Sequence, residues 1–118
     1  MKKESLTKRA HSAAVAYLER AGMGVVAEHY KTKNGVIPIL ATEGDTLVRV
    51  DVTLRKEGTK PLLLPKATIL AGRRLQMADY IKDTIPDGVD VGIRYDVIDI
   101  LQIADDRALL HHHRAAYA

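Results

Sequence analysis

The sequence contains no cysteine, no phenylalanine and no tryptophan. Without cysteine there is no disulfide framework, no thiolate zinc site and no cysteine nucleophile, and the redox compartment stays open. Five tyrosines are the only large aromatic residues, so the core must be aliphatic and tyrosine platforms for stacking nucleic-acid bases are scarce. Serine occurs only at Ser5 and Ser12, outside any Gly-x-Ser-x-Gly elbow, and Gly22 and Gly24 lack the third glycine and the preceding strand of a phosphate loop. Serine-hydrolase and dinucleotide-binding chemistry are set aside. No stretch approaches the ~18 uninterrupted apolar residues of a membrane span, and Met1 to Glu4 lead into no apolar signal segment. The expectation is a cytoplasmic protein with no membrane partner.

What is present fits one domain over residues 1–118, 47% hydrophobic and 28% charged. A chain of this length buries roughly two-thirds of its unfolded surface, enough for a core without covalent staples. The net charge of +3 is unevenly placed: residues 1–74 hold 14 Lys or Arg against 7 Asp or Glu, and residues 75–118 hold 4 against 8. A basic half of this kind points to an anionic partner, most often nucleic acid.

Apolar residues at three- and four-residue steps (Leu6, Ala10, Ala14, Leu18) predict an amphipathic helix from about Ser5, its cap, to Ala21, with Gly22 as its stop. Val25 to Tyr30 reads as an edge strand before the turn Lys33, Asn34, Gly35. Val36 to Ala41 is apolar throughout, as a strand buried on both faces would be, while Pro38 argues for an edge or a bulge. Leu47 to Arg55 alternates, with Val48, Val50, Val52 and Leu54 on one face and Arg49, Asp51, Thr53 and Arg55 on a polar one. A loop to Pro65, a helix from Ala67 to Thr84, a turn at Pro86, Asp87, Gly88 and a strand from Val89 to Leu101 follow. The tail from Ala108 to Ala118 fits a strand or a short helix equally. The order is that of an α/β fold with an early antiparallel hairpin.

Several segments resemble a known family. They are Ala14, Tyr17, Leu18 and Gly22; Gly35 to Ala41; Gly44, Asp45, Leu47, Val48, Val50 and the strand ending at Arg55; Arg74 and Leu75; Arg94, Tyr95, Asp96, Val97; and His112 with Ala116 and Tyr117. Together, over nearly the whole chain, they resemble the YraN-like family of small bacterial proteins. The resemblance implies a restriction-endonuclease-like fold, with a mixed central sheet flanked by helices, similar to Holliday-junction resolvases. In that fold the nuclease site uses a helix Glu, then an Asp, then a Glu and a Lys two apart on one strand. Carboxylates there hold Mg²⁺, which acidifies a water and neutralises phosphate charge.

At the matching positions this chain has His11, Pro38, Asp51 and Thr53. One carboxylate remains and the Lys is gone, so the resemblance implies a degenerate nuclease site with no resident cofactor. The leading expectation is a noncatalytic nucleic-acid-binding or scaffolding protein whose partner is duplex or branched DNA. Its phosphate contacts would come from Arg49, Arg55, Lys56, Lys60, Lys66, Arg73 and Arg74. One alternative is an endonuclease using Mg²⁺ or Mn²⁺ at a reduced or relocated site on Asp51 and Asp96. Another is a homodimer or interaction module that never touches nucleic acid. The bland reading of Asp51 is a surface carboxylate paired with Arg49 and Arg55. On a strand His111 and His113 share a face and His112 opposes them, so one ion cannot gather all three. The family match at His112 favours a structural role for it.

Overall fold

Gly22 ends the first helix by the chemistry its position suggests. With φ of +87° it lets its own N–H reach the Glu19 carbonyl (3.1 Å) and the Met23 N–H reach that of Leu18 (3.0 Å), closing the last turn. Leu18 and Met23 then pack in the same core. The computed structural model describes residues 3–58 and 64–118, with side chains from Leu6 onward; Lys60 and the side chain of Ser5 lie outside them. The elements run α1 (Lys3–Arg20), β1 (Gly24–Thr32), β2 (Gly35–Glu43), β3 (Thr46–Lys56), α2 (Ala67–Thr84), β4 (Gly92–Ala104) and β5 (Arg107–Tyr117). The first helix therefore begins before Ser5, which lies within it rather than capping it. Among the described residues no helix is long and apolar enough to cross a membrane.

The five strands form one sheet in the order β1-β2-β3-β4-β5. β3 and β4 are parallel and the other pairs antiparallel, because α2 carries the chain back across the sheet between β3 and β4. This mixed sheet flanked by two helices is the α/β architecture that the resemblance implies. The undecided tail is β5, a strand on one edge. The strand expected from Val89 starts instead at Gly92, since the Val89 N–H bonds the Pro86 carbonyl and Val89 stays in the turn.

Successive residues of a strand point to opposite faces, and both faces of this sheet are covered. On one, Ala10, Ala14 and Leu18 of α1 pack against Ile39, Ala41, Val48, Val50, Ile98 and Ile100. On the other, Met77 of α2 packs with Ile37, Leu40, Leu47 and Tyr95. The expected polar face of β3 therefore lies under α2: Arg49 is 3% exposed and Asp51 7%.

The first face also encloses Asp96, which is 0% exposed. Arg94 grips it with Nε on one oxygen (2.8 Å) and Nη2 on the other (2.9 Å). His112 Nε2 lies 2.7 Å from it and the Ala115 N–H donates at 2.9 Å. His112 Nδ1 in turn meets the Tyr17 hydroxyl at 3.0 Å. If His112 is neutral, Nε2–H donates to Asp96 and Nδ1 accepts from Tyr17, so every member is satisfied. The chain ties α1 to β4 and β5. Ala115 takes a φ of +48°, uncommon outside glycine, to aim its N–H at the carboxylate.

Burial alone would raise the Asp96 pKa, but Arg94, the Ala115 N–H and His112 outweigh it and hold it below the ordinary value. The same holds for Asp99, lowered chiefly by Arg55 and further by Thr53. A depressed folded value stabilises above the unfolded value of about 3.9 and is lost as pH falls through the folded value. Replacing Asp96 with Asn leaves Arg94 and His112 facing a neutral amide and is expected to cost about 3 kcal/mol at neutral pH. Tyr17→Phe removes one hydrogen bond and costs about 1 kcal/mol. Urea unfolding from pH 3 to 7 measures both, and the gap between the parent and D96N narrows below about pH 4.

Candidate functional site

Pro38 divides β2. Its ring removes the N–H that a ladder needs. The pairing of β2 with β3 runs from Glu43↔Thr46 to Ile39↔Val50, whereas β3 continues beside β4 to Lys56↔Gln102. Pro38 thus stands on an interior strand, not on an edge, at the point where β2 parts from β3. Ile37 and Ile39, which a regular strand would place on one face, pack into opposite cores. Across from Pro38, His29 has φ of +50°.

The fork opens a cleft of about 700 Å³ along the part of β3 that β2 no longer covers. His11, Pro38, Asp51 and Thr53 all line it, together with Lys8, His29 and Arg73. A second cavity of about 320 Å³ shares Asp51, Thr53 and Arg73 with the first and continues to His113 and Arg114. The four positions matched to the nuclease motif are thus neighbours in space, although they are scattered from α1 to β3 in sequence.

Their chemistry is that of neutralised charge. Arg49 holds Asp51 through Nε (3.0 Å) and Nη2 (3.1 Å), Arg73 Nη1 is 3.4 Å from it and the Tyr117 hydroxyl 3.5 Å. Asp51 is therefore a buried carboxylate between two guanidiniums, not a surface one, and its second arginine is Arg73 rather than Arg55. The Thr53 hydroxyl donates to Asp99 (2.8 Å), which also takes the fork of Arg55 (2.7 and 3.0 Å). His11 Nε2 lies 2.7 Å from a Glu28 oxygen, and its ring stacks on His29 at 4.4 Å.

A hard divalent cation needs an open set of carboxylate oxygens. Here Asp51 is covered by arginines, Pro38 offers no side-chain donor, Thr53 is bonded to Asp99, and His11 offers a borderline imidazole nitrogen that suits transition metals better than a hard cation and is held by Glu28. This set does not fit Mg²⁺. A relocated site on Asp51 and Asp96 does not form either, because Asp51 aligns with Val97 and the neighbouring Asp96 points to the opposite face. His111 and His113 share a face, their rings stacked at 4.1 Å, and His112 opposes them inside the Asp96 network.

The expected phosphate contacts divide by burial. Arg49 is enclosed, its guanidinium held by Asp51 and by the side-chain amide oxygen Oε1 of Gln76, so it is not a surface contact. Arg55 is half-buried on Asp99, and Arg73 is half-buried between Asp51 and the Tyr117 hydroxyl (3.1 Å). Lys56, Lys66 and Arg74 are exposed, with Arg74 reaching the Ala118 carbonyl (2.8 Å), and Lys60 lies outside the described residues. Sequence reasoning missed Glu28, Gln76 and Asp99, and weighed His29 and His113 only as metal ligands. Only the β3–β4 register, which sets Thr53 beside Asp99, and the fork at Pro38 bring them in.

Comparison with known proteins gives consistent relatives. A UPF0102 protein of Desulforapulum autotrophicum is 31% identical over 106 residues, 85% of this chain and 83% of its own. One from Geobacter sulfurreducens is 29% identical over 104 residues, covering 88% and 81% of the two chains. One from Anaeromyxobacter dehalogenans is 26% identical over 117 residues, covering 98% and 85%. No protein-family profile matches the chain.

Removing the Asp51 carboxylate strands a buried guanidinium. Asp51→Ala is expected to cost about 3–5 kcal/mol, whereas the double change Arg49→Leu with Asp51→Leu recovers most of the loss. Urea unfolding of the three proteins checks the pair.

Proposed function

Given that the chain belongs to UPF0102, the YraN-like family of small bacterial proteins, we propose that it binds nucleic acid without metal-dependent cleavage. One observation carries this reading: at the β2–β3 fork His11 and Pro38 stand where a metal-dependent nuclease would hold carboxylates, and the one carboxylate left, Asp51, is covered by two guanidiniums. Arg49 and Arg73 neutralise its single buried carboxylate, while Lys8, His11, His29 and Arg73 line its wall. Such a surface attracts a phosphodiester directly, with no cation between protein and phosphate. Lys56, Lys66 and Arg74 are exposed and supply further phosphate contacts in this reading, which carry no sequence information.

The test is fluorescence anisotropy of labelled duplex and four-way-junction DNA at several salt concentrations, with and without Mg²⁺. Binding is expected to weaken linearly with log salt concentration, and Mg²⁺ to act only as a competing cation. Replacing Arg73 and Arg74 together with Ala is expected to weaken binding and reduce the salt slope by about 1 to 2, since each phosphate left without its arginine removes about one. A shared unfolding midpoint for parent and variant separates a weakened interface from a damaged fold. Cleavage of either DNA with Mg²⁺ present, or no binding at low salt, overturns the reading.

A further inference from the structure

We propose that the nucleic acid taken by this cleft is single-stranded and that paired imidazole rings serve as its base-stacking platforms. The proposal deepens the nucleic-acid reading above and rests on it. The chain has five histidines. One, His112, is enclosed in the Asp96 network. The other four form two stacks. His11 and His29 lie with ring centroids 4.4 Å apart and planes 18° apart. His111 and His113 lie 4.1 Å apart and 3° from parallel.

The stacks border two cavities that share Arg73. His11 and His29 line the larger cavity, His113 lines the smaller, and Arg73 lines both. Single strands are held by aromatic planes combined with a cationic groove, bases stacking on the rings and phosphates meeting the cations. The imidazole faces supply the platforms that a chain without Phe or Trp otherwise lacks.

The backbone points the same way. His29 is exposed yet held at φ of +50°, opposite the proline that opens the fork. A side chain in that conformation is costly to keep, and here it sets the ring against His11 at the mouth of the cleft. The His11 ring is in turn fixed by Glu28 at 2.7 Å. The two cavities, about 700 and 320 Å³, have room for bases turned out from a single strand. In a duplex the base faces are stacked on one another and cannot reach the rings.

The experiment compares a labelled oligothymidine strand, the same strand in duplex, and four proteins: the parent, His29→Asn, His113→Ala and His113→Phe. Asn tolerates the left-handed backbone at position 29, so H29N removes the ring without new strain. The strand is expected to bind at least tenfold more tightly than the duplex. H29N and H113A should each weaken strand binding by about 5- to 100-fold while leaving the salt slope unchanged, and H113F should restore it. Duplex bound as tightly as the strand overturns this proposal and leaves the nucleic-acid reading standing, as does an H113F as weak as H113A. No binding of either probe at low salt removes both.

Discussion

A carboxylate with no solvent around it must be met by donors from the protein, and Asp96 recruits them from three elements. Arg94 comes from its own strand, His112 and the Ala115 N–H from β5, and Tyr17 from α1 through His112. An isolated ionised group in that position would cost many kcal/mol, so the elements supplying partners are not free to shift. The helix that carries His11 is thereby anchored to the strand pair that carries His113. The element bearing His11 in the larger cavity and the one bearing His113 in the smaller are thus tied by one buried charge.

The same constraint explains the residues through which the sequence resembles its family. Tyr17, Arg94, Asp96 and His112 are scattered through the chain, and all belong to this network. Their role is architectural. The cleft itself is made by an opposite device, the absence of a donor at Pro38, which ends the β2–β3 ladder and leaves one side of β3 open. A satisfied polar network fixes the frame, and a proline that cannot join the ladder opens the site within it.

Charge then decides what the cleft can hold. Of the set that would cage a hard cation, two carboxylates are replaced by an imidazole and a proline, the remaining aspartate lies between two arginines, and a hydroxyl bonded to Asp99 stands at the lysine position. The positive charge beside Asp51 comes from Arg49 and Arg73. The arginines on Asp51 also have a structural duty, because Arg49 lies beneath α2 and its buried guanidinium is satisfied by Asp51 and Gln76.

Periodicity determined the elements: the apolar stripe of α1, the glycine stop at Gly22, the alternation of β3 and the span of α2 follow from local propensity and period, which act within a few residues. The resemblance placed His11, Pro38, Asp51 and Thr53 at one site, and the fold brings them together. The sequence did not determine which face of β3 is buried, because alternation separates two faces without saying that a second helix covers the polar one. Arg49 and Asp51 therefore read as surface and lie in the interior. It could not show the stacking of His11 on His29 or the bond of Thr53 to Asp99, which arise from register and from the parting of two strands. Those depend on contacts between residues far apart in the chain, and only the tertiary structure decides them.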